Sequence, residues 1–569
     1  MLSDDAAKEI AKFNTCKSET QSLRDRFESD FGRFRNEAFA MPAVEGKWDS
    51  FTSNRPSTTA DKIINTLAAS RLRLWIPLTD ENKKQRKHLS KTEQFVYGVI
   101  NLRDSIYVSI PGVPPLHEAM SWFAPVRGWV VLSAYLYEEN GKVIPHIMPL
   151  DILNTYWIPG SRGLLWACHQ RYAHASEIKE EYEEDVKPDV QGRVLVYDVW
   201  DKDEEGVITG EKYLRKREHH AGHVPILILP GGATPLIQSA QYSDTIKDIG
   251  ESWALNNRLL YDAESRMGSY LMTFAGKAAK NPMVHEFDSS KTGGKEPEFQ
   301  GDLLGKGSVV GVDKGLGEAL VPMIPTQLTR DAFAFFDFLK ASLDTGDRAP
   351  VAYSQLYQPQ AAAGMNLLRK LSELNLIPPK RLMERTYVWL AHELVSQYKS
   401  GGFKKMEVQG MDGSNRRFKF EVKPNEIDDS WQFEAQLLTD FPIDEMANVG
   451  MSVQLHETKL APDQWIRDKL LHMEDVDLIE EISDREAAEN IVKIKLRRIA
   501  KALVQDGDEE GAMFILEEIE RTKQEKKPGV ASQPGVSSAV SPTADVSAAQ
   551  PQPPQASAFR RFLSRFGGQ

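Results

Sequence analysis

From Ile246 to Phe274, apolar residues recur at alternating intervals of three and four: Ile246, Ile249, Trp253, Leu260, Ala263, Met267, Tyr270 and Phe274, with Asn256 in the single polar slot. A seam of that period belongs to a helix packed along its length against another helix. At 1.5 Å per residue, a helix from Ser243 to Gly276 spans roughly 50 Å, which is long for a core helix and suits a rod.

Past Gly276 the period ends, and a stretch rich in Gly, Ser, Asp and Lys runs to about Pro325. A second helix follows, with Thr329 as N-cap, Asp331 in the first turn, and Phe333, Phe336 and Leu343 on one side. It stops at Gly346. The segment from Arg348 to Gly364 carries two prolines and neither a helical nor a strand period. A third helical pattern begins near Met365, meets Pro378-Pro379 and resumes through Leu382, Val388, Trp389 and Leu394, so it is expected to kink at the prolines.

The flanking regions mix periods. Residues 1 to 50 are charged and helical in pattern, with Phe13, Leu23, Phe27, Phe31 and Phe34 as an apolar stripe. Lys83, Lys84, Arg86, Lys87 and Lys91 form a basic cluster that reads either as a solvated face or as a contact with another subunit. From Arg127 to Pro230 strands dominate. Asn140-Gly141 between alternating runs marks a hairpin. A second hairpin is expected to pair Val194–Trp200 with Tyr213–Arg217, and a third Met406–Gln409 with Phe418–Val422 about Asp412-Gly413. Val224–Leu229 is a short apolar strand. Residues 528–556 are almost uncharged Pro, Ser, Ala, Val and Gln, which cannot bury a core and are expected to be disordered. A basic amphipathic patch, Phe559, Phe562, Leu563 and Phe566 among arginines, closes the chain; docking element and frayed tail are equal readings of it.

This succession resembles the portal proteins of tailed bacteriophages: stem helix, clip, stem helix, tunnel loop, kinked tunnel helix. Asn54-Arg55-Pro56 leading into Ile63, Ile64 and Leu67, then Arg73-Leu-Trp75-Ile-Pro77, is similar to the family's opening wing segment. The Gly128–Pro149 hairpin is similar to its wing hairpin, and Ser452–Thr458 with the acidic stretch after it to its closing segment. The resemblance covers roughly residues 50 to 525. It implies an α+β portal fold: wing (1–242 and 401–460) wrapped around the stem helices (243–276 and 329–346), a small α/β clip (277–328), a tunnel loop (347–364), a kinked tunnel helix (365–400), a helical crown (461–527) and a tail (528–569). Stem packing falls on Ile249, Trp253, Leu260, Met267 and Phe274. The clip lysines Lys277, Lys280, Lys291 and Lys295 are where a packaging motor would dock. In the tunnel loop Arg348, Tyr353, Gln355, Tyr357, Gln358 and Gln360 would face the channel, where long polar side chains touch a sliding duplex without gripping it. Arg348 is also placed to pair with a neighbouring subunit.

By the same resemblance, the expected assembly is a ring, twelve subunits in the family, at one capsid vertex. Its expected partners are double-stranded DNA, the large terminase, the major capsid and scaffolding proteins, and head-completion and tail adaptor proteins. It would be assembled in the bacterial cytoplasm and carried in the virion. Two rivals are a non-portal virion scaffold or adaptor, and a terminase-type packaging enzyme.

Composition excludes some classes. A formal charge of −12 over 569 residues argues against a protein that grips phosphates over a basic surface. Cys16 and Cys168 are the only cysteines, too few for a disulfide framework, and no apolar run reaches the roughly 18 residues a bilayer requires. Gly301 to Ser308 imitates a phosphate cradle, but with three residues between its glycines and Gly307 after Lys306 where a hydroxyl should hold magnesium. Asp201, Asp203, Glu205 and Gly206 imitate the start of a calcium loop, yet Lys212 stands where a bidentate Glu belongs. His219, His220 and His223 lack a completing Cys or carboxylate, and Cys168 sits in an apolar run as a small hydrophobe. No metal, cofactor or catalytic chemistry is expected.

Overall fold

The computed structural model describes residues 2–41, 48–77, 79, 85–139, 141–219, 221–235, 241–279, 283–292, 309–313, 330–346, 376–413, 416–438, 442–463, 466–467 and 513–514. Its architecture is α+β. Helices α1 (Ala6–Glu19), α2 (Gln21–Phe34) and α3 (Arg55–Ala68) lead into β1 (Arg71–Trp75), then α4 (Arg86–Tyr107) and α5 (Leu116–Arg127). Strands β2 (Trp129–Glu139), β3 (Lys142–Leu150), β4 (Thr155–Pro159) and β5 (Leu164–His174) precede α6 (Ala175–Tyr182). Strands β6 (Arg193–Trp200), β7 (Glu204–Thr209), β8 (Lys212–Glu218) and β9 (Ile226–Pro230) complete the strand-rich half. There follow α7 (Tyr242–Ile246), α8 (Arg258–Ala279), β10 (Met283–Phe287), α9 (Ser289–Thr292), β11 (Val309–Asp313) and α10 (Arg330–Gly346). Helix α11 (Ile377–Ser400), β12 (Met406–Met411), β13 (Arg417–Val422), β14 (Glu434–Leu438) and α12 (Pro442–Thr458) end the described elements named here.

Strand β2 is the centre of a three-stranded sheet, ordered β3-β2-β9. It is buried from Trp129 to Leu136 because both of its faces are covered. Val130, Leu132, Ala134 and Leu136 face a core shared with α11, while Trp129 and Val131 join a second core with Leu23 and Phe27 of α2. That is why its sequence is a continuous apolar run rather than an alternation. The ladder to β3 ends at the Glu139–Lys142 pair, and Gly141 takes φ +75°, the left-handed conformation that a two-residue turn needs.

Strand β1 pairs antiparallel with β14, from Arg71↔Leu438 to Trp75↔Glu434. Segments more than 350 residues apart therefore form one body. Helix α11 runs through it, burying Leu382, Met383, Tyr387, Leu390, Leu394 and Tyr398. Pro378 and Pro379 lie in the first turn of α11, where a missing N–H is no loss. In the described residues they open the helix rather than kink it, and 365–375 lie outside the described residues.

The expected pairing of Val194–Trp200 with Tyr213–Arg217 is corrected: β7 lies between them in a five-stranded antiparallel sheet ordered β4-β5-β6-β7-β8. The turn is Asp201 to Asp203, where Asp201 Oδ1 accepts from the amides of Asp203 and Glu204, both at 2.8 Å. This Asx turn is what the acidic string builds. The N-terminal stripe is likewise divided between two helices at Thr20. Phe13 packs against Tyr156 and Tyr197 of the five-stranded sheet, with ring centroids 4.5 and 4.8 Å away.

Candidate functional site

The long helix expected over 243–276 is interrupted. Residues 247–257 leave the helical path between α7 and α8 because their backbone polar groups find better partners outside it. The Arg26 guanidinium donates to the carbonyls of Lys247, Ile249 and Gly250 at 2.5, 2.7 and 3.1 Å. Trp129 Nε1 donates to Ile249 O at 3.1 Å, and the amides of Glu251 and Trp253 donate to the carbonyls of Gly231 and Pro125. Gly250 sits at φ +85° with the Trp129 indole directly over the position a Cβ would take. Ile249 accordingly belongs to the second core with Trp129 and Leu23, not to a stem seam.

Where the chain turns into α8, a buried carboxylate anchors it. Asp30 of α2, 1% exposed, accepts both Nε and Nη2 of Arg258 at 2.8 Å, and Ser252 Oγ at 2.7 Å. Such a two-toothed contact fixes orientation as well as position. Arg33 reaches Asp262 at 2.8 Å one turn further on.

Helix α8 divides its circumference. One face carries Leu260, Ala263 and Met267, which pack on a cluster of Tyr261 with Leu339 and Leu343 of α10, beside Trp253. Asn257 Nδ2 closes the pair by donating to Leu343 O at 3.1 Å. Phe274 is half-buried. The adjoining face carries Ser265, Ser269 and Thr273, all buried, against the extended segment Asp49–Ser53.

Helix α10 has more apolar surface than α8 covers. Leu339 and Leu343 are buried, but Phe333, Phe335 and Phe338 are 52%, 53% and 67% exposed. Phe333, expected on one side with Phe336 and Leu343, lies within about 80° of both around the helix axis, but at the rim of that side and 52% exposed. At 100° per residue, Phe335 and Phe338 lie together on one flank of the buried stripe, with Phe333 about 140–160° away on the other. Leu255 and Leu259 are also exposed, at 43% and 80%.

Between the two helices, β10 and β11 pair in parallel from Met283↔Val309 to Phe287↔Asp313. Lys291 in α9 is exposed and pairs with Asp288 at 3.2 Å. Lys280 and Lys295, the side chain of Lys277, Thr329 and the Gly301–Ser308 segment lie outside the described residues. So do the tunnel-loop residues Arg348, Tyr353, Gln355, Tyr357, Gln358 and Gln360, most of 461–527, and the tail with Phe559, Phe562, Leu563 and Phe566.

The other motifs resolve into structural roles. His219 contacts Asp201 O at 2.9 Å, and His223 contacts Glu393 Oε2 at 2.8 Å; the two do not share a partner, and His220 lies outside the described residues. Among the described residues no group of three His, Cys, Asp or Glu side chains is arranged to hold a metal ion. Cys16 and Cys168 are buried as free thiols, and burial pushes the Cys16 thiol up to about 11. No described helix is long and apolar enough to cross a membrane.

No protein-family model matches this sequence, and no curated protein matches it. Among solved structures it is similar to one described as the neck of a native GTA particle computed with C12 symmetry, at 11% identity and a TM-score of 0.33, over 73% of this chain and 89% of that chain. A likeness of that degree carries no functional argument.

Proposed function

We propose that this chain is a portal-type connector, a ring-forming protein of a phage-like particle through which double-stranded DNA enters and leaves. The observation that carries this reading is α10: one face buried on α8, and exposed phenylalanines on two opposed flanks. A helix in a lone subunit has no use for apolar surface on both sides, whereas a helix in a closed ring has a neighbour on each. The anchored start of α8 at Asp30 and Arg258 would hold the helix pair at a fixed angle to the wing, as closure of a ring requires.

In this reading α8 and α10 line the stem, and the β10–β11 unit is the clip to which the large terminase docks. The segment 347–364 meets DNA, and the wing meets major capsid and scaffolding proteins. Head-completion and tail adaptor proteins join after packaging. The assembly is made in the bacterial cytoplasm and stays in the virion. The protein acts mechanically, with neither cofactor nor catalysis of its own. Mass photometry of the purified chain tests it: a species near twelve times 64.1 kDa is expected, with a ring in negative stain. A monomer at every concentration and salt would overturn it.

A further inference from the structure

A cleft of about 490 Å³ opens between α1 and α2 on one side and the edge of β4, β5 and β6 on the other. Its lining departs from the acidic character of the chain. Lys17, Arg24, Arg171 and Arg193 face it, against Glu28 as the one carboxylate among its lining residues.

The four cations are not equivalent. Arg171 is already balanced, with Nε on Asp198 at 2.8 Å and Nη1 on Glu177 at 3.0 Å. Arg24 is 5% exposed, yet its guanidinium donates only to neutral oxygens: Thr20 Oγ1 at 3.0 Å, Thr155 O at 2.9 Å and Ile152 O at 3.4 Å. Its plane lies over the Tyr156 ring, 3.7 Å from the centroid. Asp151, whose charge Arg24 feels, is itself held by Arg127 at 2.6 Å. Burial lowers the Arg24 pKa to about 10, which still leaves it charged at neutral pH. Lys17 and Arg193 are exposed and form no ion pair with a described residue. His169, on the floor, is kept neutral by burial. A buried guanidinium held in place by dipoles, with two exposed cations at the rim, is a preorganised site for negative charge.

We propose that this cleft binds a small polyphosphate anion, with pyrophosphate as its simplest form, Arg24 as the fixed contact and Lys17 and Arg193 closing from opposite walls. A polyphosphate suits it better than a monocarboxylate because three cations on separate elements ask for a ligand with charge on more than one side. Gln21, Gln170 and Asn154 supply neutral amide donors around them. The volume lies in the range of small-molecule sites, about 300–1,000 Å³.

The test is calorimetric titration of the full-length protein with sodium pyrophosphate in chloride buffer at constant ionic strength. Saturable binding is expected, weakening by roughly tenfold for each of Lys17→Gln and Arg193→Gln and further for the double variant. Both side chains are exposed, so these variants keep the fold, which circular dichroism verifies. No binding to the unaltered protein, or equal affinity in the double variant, would overturn the proposal. Binding of a short single-stranded oligonucleotide without any binding of pyrophosphate would overturn it as well.

Discussion

The backbone amide of Phe51 donates to the hydroxyl of Ser269 at 2.9 Å, in the middle of a repeating contact between the 49–53 segment and α8. Asp49 N donates to Thr273 Oγ1 at 2.9 Å, and Ser53 N to Ser265 Oγ at 3.3 Å. Two residues of extended chain advance about 6.6 Å and four residues of helix about 6 Å, so alternate amides meet hydroxyls spaced by four. Ser269 and Thr273 spend their own protons on the carbonyls of Ser265 and Ser269, leaving lone pairs for the amides. Phe51 also lies over Gly268, where a Cβ would come within 2.2 Å of its ring. The 49–53 segment is thus laced to α8 by backbone amides as well as by the Phe51 and Trp48 rings, the latter edge-on to Tyr270 at 4.9 Å between centroids.

Replacing Ser269 with Ala should leave the part-buried Phe51 amide without its acceptor and destabilise the protein by about 1 kcal/mol. The same change at exposed Ser18 should cost a few tenths at most. Urea unfolding measures the difference, and hydrogen exchange should show faster exchange at Phe51. Equal stabilities for the two variants would remove the lacing as a source of stability.

Gly250→Ala separates two costs. Gly250 and Gly112 share a φ of +85°, but a Cβ at 112 meets nothing within 4 Å while one at 250 would lie 2.0 Å from Trp129 Nε1. Gly112→Ala should therefore cost about 1 kcal/mol of backbone strain alone. Gly250→Ala should cost at least about 1–3 kcal/mol more, for displacing Trp129 from Ile249 O. Thermal unfolding of the pair decides it, and equal losses would mean that the loop simply yields.

What was legible in the sequence was local. Asp412-Gly413 and Asn140-Gly141 marked hairpins because turn chemistry is written in adjacent residues. The Leu260–Met267 seam was visible because α8 does pack on α10. The break at 247–257 was not, because its cause is Arg26, more than 200 residues upstream, taking three carbonyls from the helix. Strand β7 escaped because Glu204-Glu205-Gly206 reads as a turn until Val207 and Ile208 are seen buried between two neighbours. The exposure of Phe333 at the rim of its apolar side was hidden by period alone, which counts apolar positions without saying which of them the same chain covers.

Stability should fall with rising pH through a contact of His223. Its hydrogen bond to Glu393 raises its pKa above the ordinary value near 6.5. A histidine raised on folding contributes fully below the unfolded pKa, and the contribution is lost as pH climbs through the folded one. Between about pH 6 and 8 the protein should lose stability relative to His223→Gln. Below about 6.5 both should weaken together, since burial pushes His146 down to about 3 and lowers His117 and His169, so the unfolded chain takes up protons that the fold refuses. Urea midpoints across this range test it, and parallel curves for the two proteins would sink the idea.

If the two flanks of α10 meet different neighbours, the interface is heterologous, and its two halves can be disabled separately. Phe333→Asp should block one side and Phe338→Asp the other. Each side chain is more than half exposed in the lone subunit, so neither change should unfold it. Each variant alone should fail to form rings, because every contact would present one charged side to an apolar one, at a cost of about 2 kcal/mol or more per interface. Mixed in equal amounts, the two retain one intact pairing, the unaltered 338 flank of one against the unaltered 333 flank of the other. The mixture should therefore form dimers and stop there, since the outer flanks of that dimer are both charged. Mass photometry distinguishes monomer, dimer and ring in one measurement. Rings from either single variant, or monomers only from the mixture, would show that the phenylalanine flanks do not join neighbouring subunits.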